Sequence, residues 1–104
     1  MKYEEAKLFI KYHALEGVAY TSRFGEYPNK IEVTKIVTAL EVILENVKGS
    51  KFIERELAGW LFAINDQTQG NFNGAVAKGI ELKIECDESD FFKINELTYA
   101  IFEQ

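Results

Sequence analysis

The chain has 104 residues, 47% of them hydrophobic and 13% aromatic, with 12 Lys and Arg against 17 Asp and Glu for a formal net charge of −5. That length fills one core and not two, and that apolar content lies outside the range of chains too polar to fold, so residues 1–104 are read as a single globular domain. The charge is one-sided, which speaks against nucleic acid or an anionic membrane as partner and for a basic protein: residues 1–79 hold ten basic and ten acidic side chains, whereas residues 80–104 set Lys83 and Lys93 against Glu81, Glu85, Asp87, Glu88, Asp90, Glu96 and Glu103.

Tyr3, Ala6, Ile10, Ala14, Gly17 and Val18 recur at spacings of three and four, and Phe9, Tyr12 and Tyr20 widen the stripe, predicting a first helix over residues 3 to about 22. Gly25 and Pro28 mark a connection over Ser22 to Asn29. The second helix has the strongest pattern: Val33, Ile36, Val37, Leu40, Ile43, Leu44 and Val47 follow the 3.6-residue period, Asn29 with Glu32 resembles a capping box, and Gly49 supplies a stop. Thr34 is the rival cap, and if it starts the helix, Ile31 to Val33 is extended. Ser50 is read as the cap of a third helix with Ile53, Leu57, Trp60, Leu61 and Ile64 on its apolar face. A break of only Gly49 and Ser50 predicts an antiparallel helical hairpin from about 30 to 66. The polar run from Asn65 to Gly74 is expected to be the longest loop.

The period then changes. Ile80, Leu82, Ile84 and Cys86 alternate with Glu81, Lys83 and Glu85, which predicts a half-buried strand. Its partner is open: Ile31 to Val33, Phe72 to Lys78, or a second copy of the chain. Asp87 or Ser89 caps a last helix to about Phe102, with Phe91, Ile94, Leu97, Thr98, Ile101 and Phe102 on one broad face, although Leu97 to Phe102 also suits a strand.

Chemistry-bearing motifs are scarce. His13 is the only histidine, so any imidazole chemistry rests on it, with Glu16 one turn away. Cys86, the only cysteine, ends the strand pattern among acids, an environment that disfavours the thiolate; a single thiol also fits a reducing compartment, and the cytoplasm is expected. Starting at Asp87, a calcium loop would need its third, fifth, sixth and twelfth positions filled by ligands and a glycine, but Ser89, Phe91, Phe92 and Thr98 stand there. Gly70 to Gly74 with Lys78 lacks the order of a phosphate-binding loop. No paired-cysteine zinc pattern, helical zinc-protease motif or nucleophile elbow occurs, so no cofactor and no resident metal are expected. The longest apolar stretch, Leu57 to Ile64, falls far short of the roughly 20 residues of a membrane span. Glu4 and Glu5 stand where a secretion signal places positive charge.

Phe62 falls opposite Trp60 and Ile64, and adjacent Phe91 and Phe92 cannot both enter one core from one helix, so one of each pair is expected to point outward. The fold read from the sequence is mainly α: a small domain of about four helices with one short strand near 80–86, the alternative being α+β with a two- or three-stranded sheet. The function expected is a non-catalytic protein-binding module, inhibitor-like or immunity-like in its physics, that holds a basic partner through Glu85, Asp87, Glu88, Asp90, Phe91 and Phe92. Two alternatives stand beside it. One is a homodimeric structural or regulatory subunit; the other is an enzyme or small-ligand binder built around His13, Tyr12 and the Asn65 to Gly74 segment.

Overall fold

Ala6, Ile10 and His13 share the buried face of α1 (Tyr3–Leu15), whose first turn carries Glu4 and Glu5 at the positive end of the helix dipole. A computed structural model describes residues 1–22, 29–77 and 88–103 of the chain. The helix read as running to residue 22 stops at Leu15, and a separate single turn, α2 (Val18–Thr21), follows Gly17. The cause is His13. Its Nδ1 accepts a hydrogen bond from the Val18 N–H at 3.2 Å, so the imidazole caps a new helical turn and the original one ends.

The second long helix, α3 (Lys30–Val47), begins where the sequence places it, with the Asn29 side chain accepting from the Glu32 N–H at 2.8 Å. Thr34 lies inside this helix, its hydroxyl donating to the Lys30 carbonyl. Val33, Ile36, Leu40, Ile43 and Val47 form its buried stripe. Gly49 ends it at φ 79°, the left-handed backbone that glycine adopts without a Cβ penalty.

Ser50 does not cap the next helix. Its Oγ instead accepts from the Phe52 N–H and donates to the Phe52 carbonyl, closing a local turn. The third long helix, α4 (Arg55–Ala77), starts later, where the Glu54 carbonyl accepts from the Ala58 N–H. At 23 residues it rises about 35 Å, most of the 42 Å long axis of the molecule. It passes straight through the segment expected to be a loop. Leu57, Leu61, Ile64, Thr68 and Phe72 continue one buried stripe at spacings of three and four, with the Thr68 hydroxyl bonded back to the Ile64 carbonyl so that a polar side chain can take a core position. The polar residues between them join neighbouring elements: Asn65 donates to Asn95, the Gln69 side chain to the Phe91 carbonyl, and Asn71 to Ser22.

The last helix, α5 (Glu88–Phe102), keeps the whole Leu97 to Phe102 stretch helical. The alternating segment at 80–86 lies outside the described residues, among which there is no strand. The protein is mainly helical. Its long helices form a ring in which α1 packs on α3, α3 on α5, α5 on α4 and α4 on α1, with α2 against α1 and α4. Consecutive helices α3 and α4 thus sit across a diagonal, no Cα of one lying within 8 Å of the other. Residues 48–54 carry the chain across that diagonal, where the sequence reading allowed only a two-residue break.

Two ion pairs tie elements distant in sequence. Lys7 bridges Glu4 at 3.1 Å and Glu54 at 2.8 Å beneath the Tyr3 ring, holding α1 to the start of α4. The hydrogen bond to Glu54, then that to Glu4, holds its ammonium protonated above the usual lysine range. Lys30 at the start of α3 pairs with Asp90 in the first turn of α5.

Candidate functional site

The residues that the sequence marked for a partner separate in the fold. Glu85 and Asp87 lie outside the described residues, and Glu88 opens α5. Asp90 is largely covered, its carboxylate on Lys30. Phe91 is buried in the core, its ring centroid 4.7 Å from that of Phe72, while Phe92 is 60% exposed. The adjacent pair therefore divides as helical geometry requires, and the same division holds for half-buried Trp60 and exposed Phe62. Among Asp90, Phe91 and Phe92, the three of the six whose side chains are described, only Phe92 offers its side chain openly to solvent.

Phe92 lies on a second stripe of α5, flanking the core stripe, in which Phe92, Asn95, Tyr99 and Phe102 follow one another at spacings of three and four. Facing it from α4 are Phe62, Asn65 and Asp66. Together Phe62, Asn65, Asp66, Thr98, Tyr99 and Phe102 line a groove of about 290 Å³. Phe62, Tyr99 and Phe102 are 65%, 57% and 45% exposed, an arrangement of aromatic surface that a closed monomer core leaves unused. Thr98 is buried beneath them, its hydroxyl donating to the Ile94 carbonyl at 2.8 Å. The Asn65 Nδ2 donates to Asn95 Oδ1 at 2.9 Å, whereas Asn65 Oδ1 is buried with no hydrogen-bond partner. Phe102 also closes a smaller cavity of about 70 Å³ beside Phe52, which extends the aromatic surface onto the 48–54 connection.

Signals for this groove were present in the sequence for Phe62, flagged as opposite the core face, and absent for the rest. Asp66 stood in an expected loop, and Tyr99 and Phe102 stood in a segment whose period suited helix and strand alike.

His13 occupies a different environment. It is buried, with the Phe9 and Tyr12 rings edge-on at 4.7 and 5.1 Å, and burial lowers its pKa below the usual 6.5, opposed weakly by the charge of Glu32. With Nδ1 accepting from Val18, the neutral ring carries its proton on Nε2. The Asn65 to Gly74 segment expected to join it in a ligand site is part of α4. No group of three or more His, Cys, Asp or Glu side chains able to hold a metal ion occurs among the described residues. Among those residues no helix is long and apolar enough to cross a membrane. Set against protein-family models, curated proteins and solved structures, the chain matches none.

Proposed function

We propose that this protein is a non-catalytic binding module that holds a basic protein partner, with the α4/α5 groove as its apolar anchor and the acids of residues 80–104 as its field. The observation that carries this reading is the groove itself: Phe62, Tyr99 and Phe102 stand well exposed around a concavity whose one charged lining residue is Asp66. Aromatic side chains bury roughly 150–250 Å² each when covered, so three around one concavity supply an anchor of the kind that dominates binding energy at protein interfaces. The acids supply a different quantity. A one-signed field speeds encounter with a cationic partner and makes that encounter salt-sensitive, while the anchor sets how long the complex lasts.

The non-catalytic part of the reading is supported by the structural employment of His13, whose Nδ1 lone pair is already engaged by Val18. The test is capture at low salt followed by identification. The expected partner is a basic protein, released as salt rises; Phe62→Ser with Phe102→Ser abolishes capture while the helical circular dichroism stays unchanged. Amides at Glu85, Asp87 and Glu88 slow association and flatten its salt dependence. A partner indifferent to both sets of changes overturns the reading.

A second reading, a homodimer, draws on α1. Leu8, Tyr12 and Leu15 are exposed on one face, flanked by Lys11 and Glu16, and line a shallow cavity of about 220 Å³. Two such faces meeting antiparallel about a two-fold axis set Lys11 of each copy toward Glu16 of the other. Sedimentation equilibrium of the wild-type chain and of Leu8→Glu with Leu15→Glu decides it.

A further inference from the structure

The lining of the α4/α5 groove is unbalanced in its hydrogen bonding. Two of its donor groups are engaged inside the fold, Asn65 Nδ2 with Asn95 and the Thr98 hydroxyl with the Ile94 carbonyl, while the hydroxyl of exposed Tyr99 can donate or accept. Its acceptors are left over. Asn65 Oδ1 is sealed beneath the surface without a partner, and the accessible acceptor is the carboxylate of exposed Asp66. Around these acceptors stand the rings of Phe62, Tyr99 and Phe102, whose faces carry the negative lobe of the aromatic quadrupole. A surface whose one charge is a carboxylate set among aromatic rings favours a cation and disfavours an anion.

Size narrows the choice further. At about 290 Å³ the groove stands at the small end of the roughly 300–1,000 Å³ typical of small-molecule and cofactor sites, with room for one long side chain. A guanidinium suits this lining best, because its plane stacks on aromatic faces while its N–H groups pair with a carboxylate at the edge. An ammonium offers a compact point charge with no plane to stack.

We propose that the groove formed by Phe62, Asn65, Asp66, Tyr99 and Phe102 is the receptor for a single arginine side chain of the partner. This rests on the binding-module reading and adds to it the identity of the anchoring group. Asp66 pairs with the guanidinium and the rings hold its faces.

The experiment is an amide-resolved NMR titration of the full chain with N-acetyl-arginine amide, N-acetyl-lysine amide and N-acetyl-citrulline amide, the last nearly isosteric with arginine but uncharged. Arginine is expected to shift the amides of Phe62, Asp66, Tyr99 and Phe102 and to bind at least about tenfold more tightly than citrulline, with lysine between them. Asp66→Asn, at an exposed position that leaves the core intact, should remove most of that preference, and Phe62→Leu should weaken arginine while sparing the fold. Equal binding of citrulline and arginine, or shifts that are absent or scattered over the surface, overturns the proposal. Its failure is separable from that of the binding-module reading. Capture of a basic protein that persists while arginine ignores the groove leaves the module standing without this anchor; arginine binding with no basic partner captured upholds the receptor site and removes the module.

Discussion

Gly17 lacks a side chain because His13 fills the space where one would go: a Cβ at Gly17 would stand 2.5 Å from His13 Nδ1 and 2.9 Å from His13 Cα. The second distance involves backbone, which cannot swing aside. Gly17→Ala is therefore expected to destabilise the chain by about 1–3 kcal/mol, the cost of overpacking a filled site. Chemical denaturation measures it, and removal of the imidazole in a Gly17→Ala, His13→Ala double variant should not restore stability, since the contact with Cα remains. A fully stable Gly17→Ala chain would falsify this packing.

The same imidazole makes stability depend on pH. Burial lowers the His13 pKa in the folded chain below 6.5, so below that pH the unfolded chain binds the proton more readily. Its contribution is intact above about pH 6.5 and is lost progressively as pH falls toward the folded-state value. Protonation also removes the acceptor that Val18 uses. Urea midpoints between pH 7.5 and 5.5 should fall for the wild-type chain more steeply than for His13→Gln, which retains an acceptor and does not titrate. Parallel curves for the two chains would exclude His13 as the source.

Asn65 and Asn95 form a pair whose two members are worth less than they cost singly. Asn95→Leu strips Asn65 of its hydrogen-bond acceptor and leaves a second polar atom of that amide unpaired, an expected loss of about 1–3 kcal/mol. Replacing both by leucine removes every unpaired atom with them. The double variant should recover most of the loss, giving a coupling energy of about 1 kcal/mol or more in a double-mutant cycle.

Asp90 should behave differently from the acids beside it. Its carboxylate meets Lys30, whose side chain is 54% exposed, so Asp90→Asn is expected to cost about 0.2–1 kcal/mol, diminishing at high salt. Its effect on association with a basic partner should be small by comparison with that of Glu85, Asp87 and Glu88. A larger effect on binding kinetics than on the denaturation midpoint would place Asp90 at the interface after all.

The elements legible in the sequence were those governed by local rules. Asn29 caps α3 because its side chain reaches an N–H three residues on, and Gly49 stops it because the backbone there turns left-handed; both causes sit within a few residues. What the sequence hid was set by distant partners. The polar half of α4 looked like a loop because Thr68 holds a core position and Asn65, Gln69 and Asn71 are joined to Asn95, Phe91 and Ser22, none of them a neighbour in sequence. The break at Gly17 was equally hidden, since a periodic pattern does not reveal that a histidine will cap a later turn. The groove was hidden by the first of these: with the helix read as ending at Ile64, Asn65 and Asp66 had no place beside Phe62 on a face opposing Tyr99 and Phe102.

The diagonal crossing between α3 and α4 divides the molecule in a way the chain order conceals. Residues before the crossing contain one packed helical pair, α1 with α3, and residues after it contain another, α4 with α5. The halves are sewn together by α1 against α4 and α3 against α5, with the 48–54 connection adding the Glu54 to Lys7 ion pair at one edge. Those linking residues are largely exposed, the usual setting for a nick that a fold tolerates. The connection is thus a natural place to sever the polypeptide into two complementary fragments, the first carrying the helices that back α4 and α5 and the second carrying both walls of the groove, so that reassembly and arginine capture become separable readouts of the same molecule.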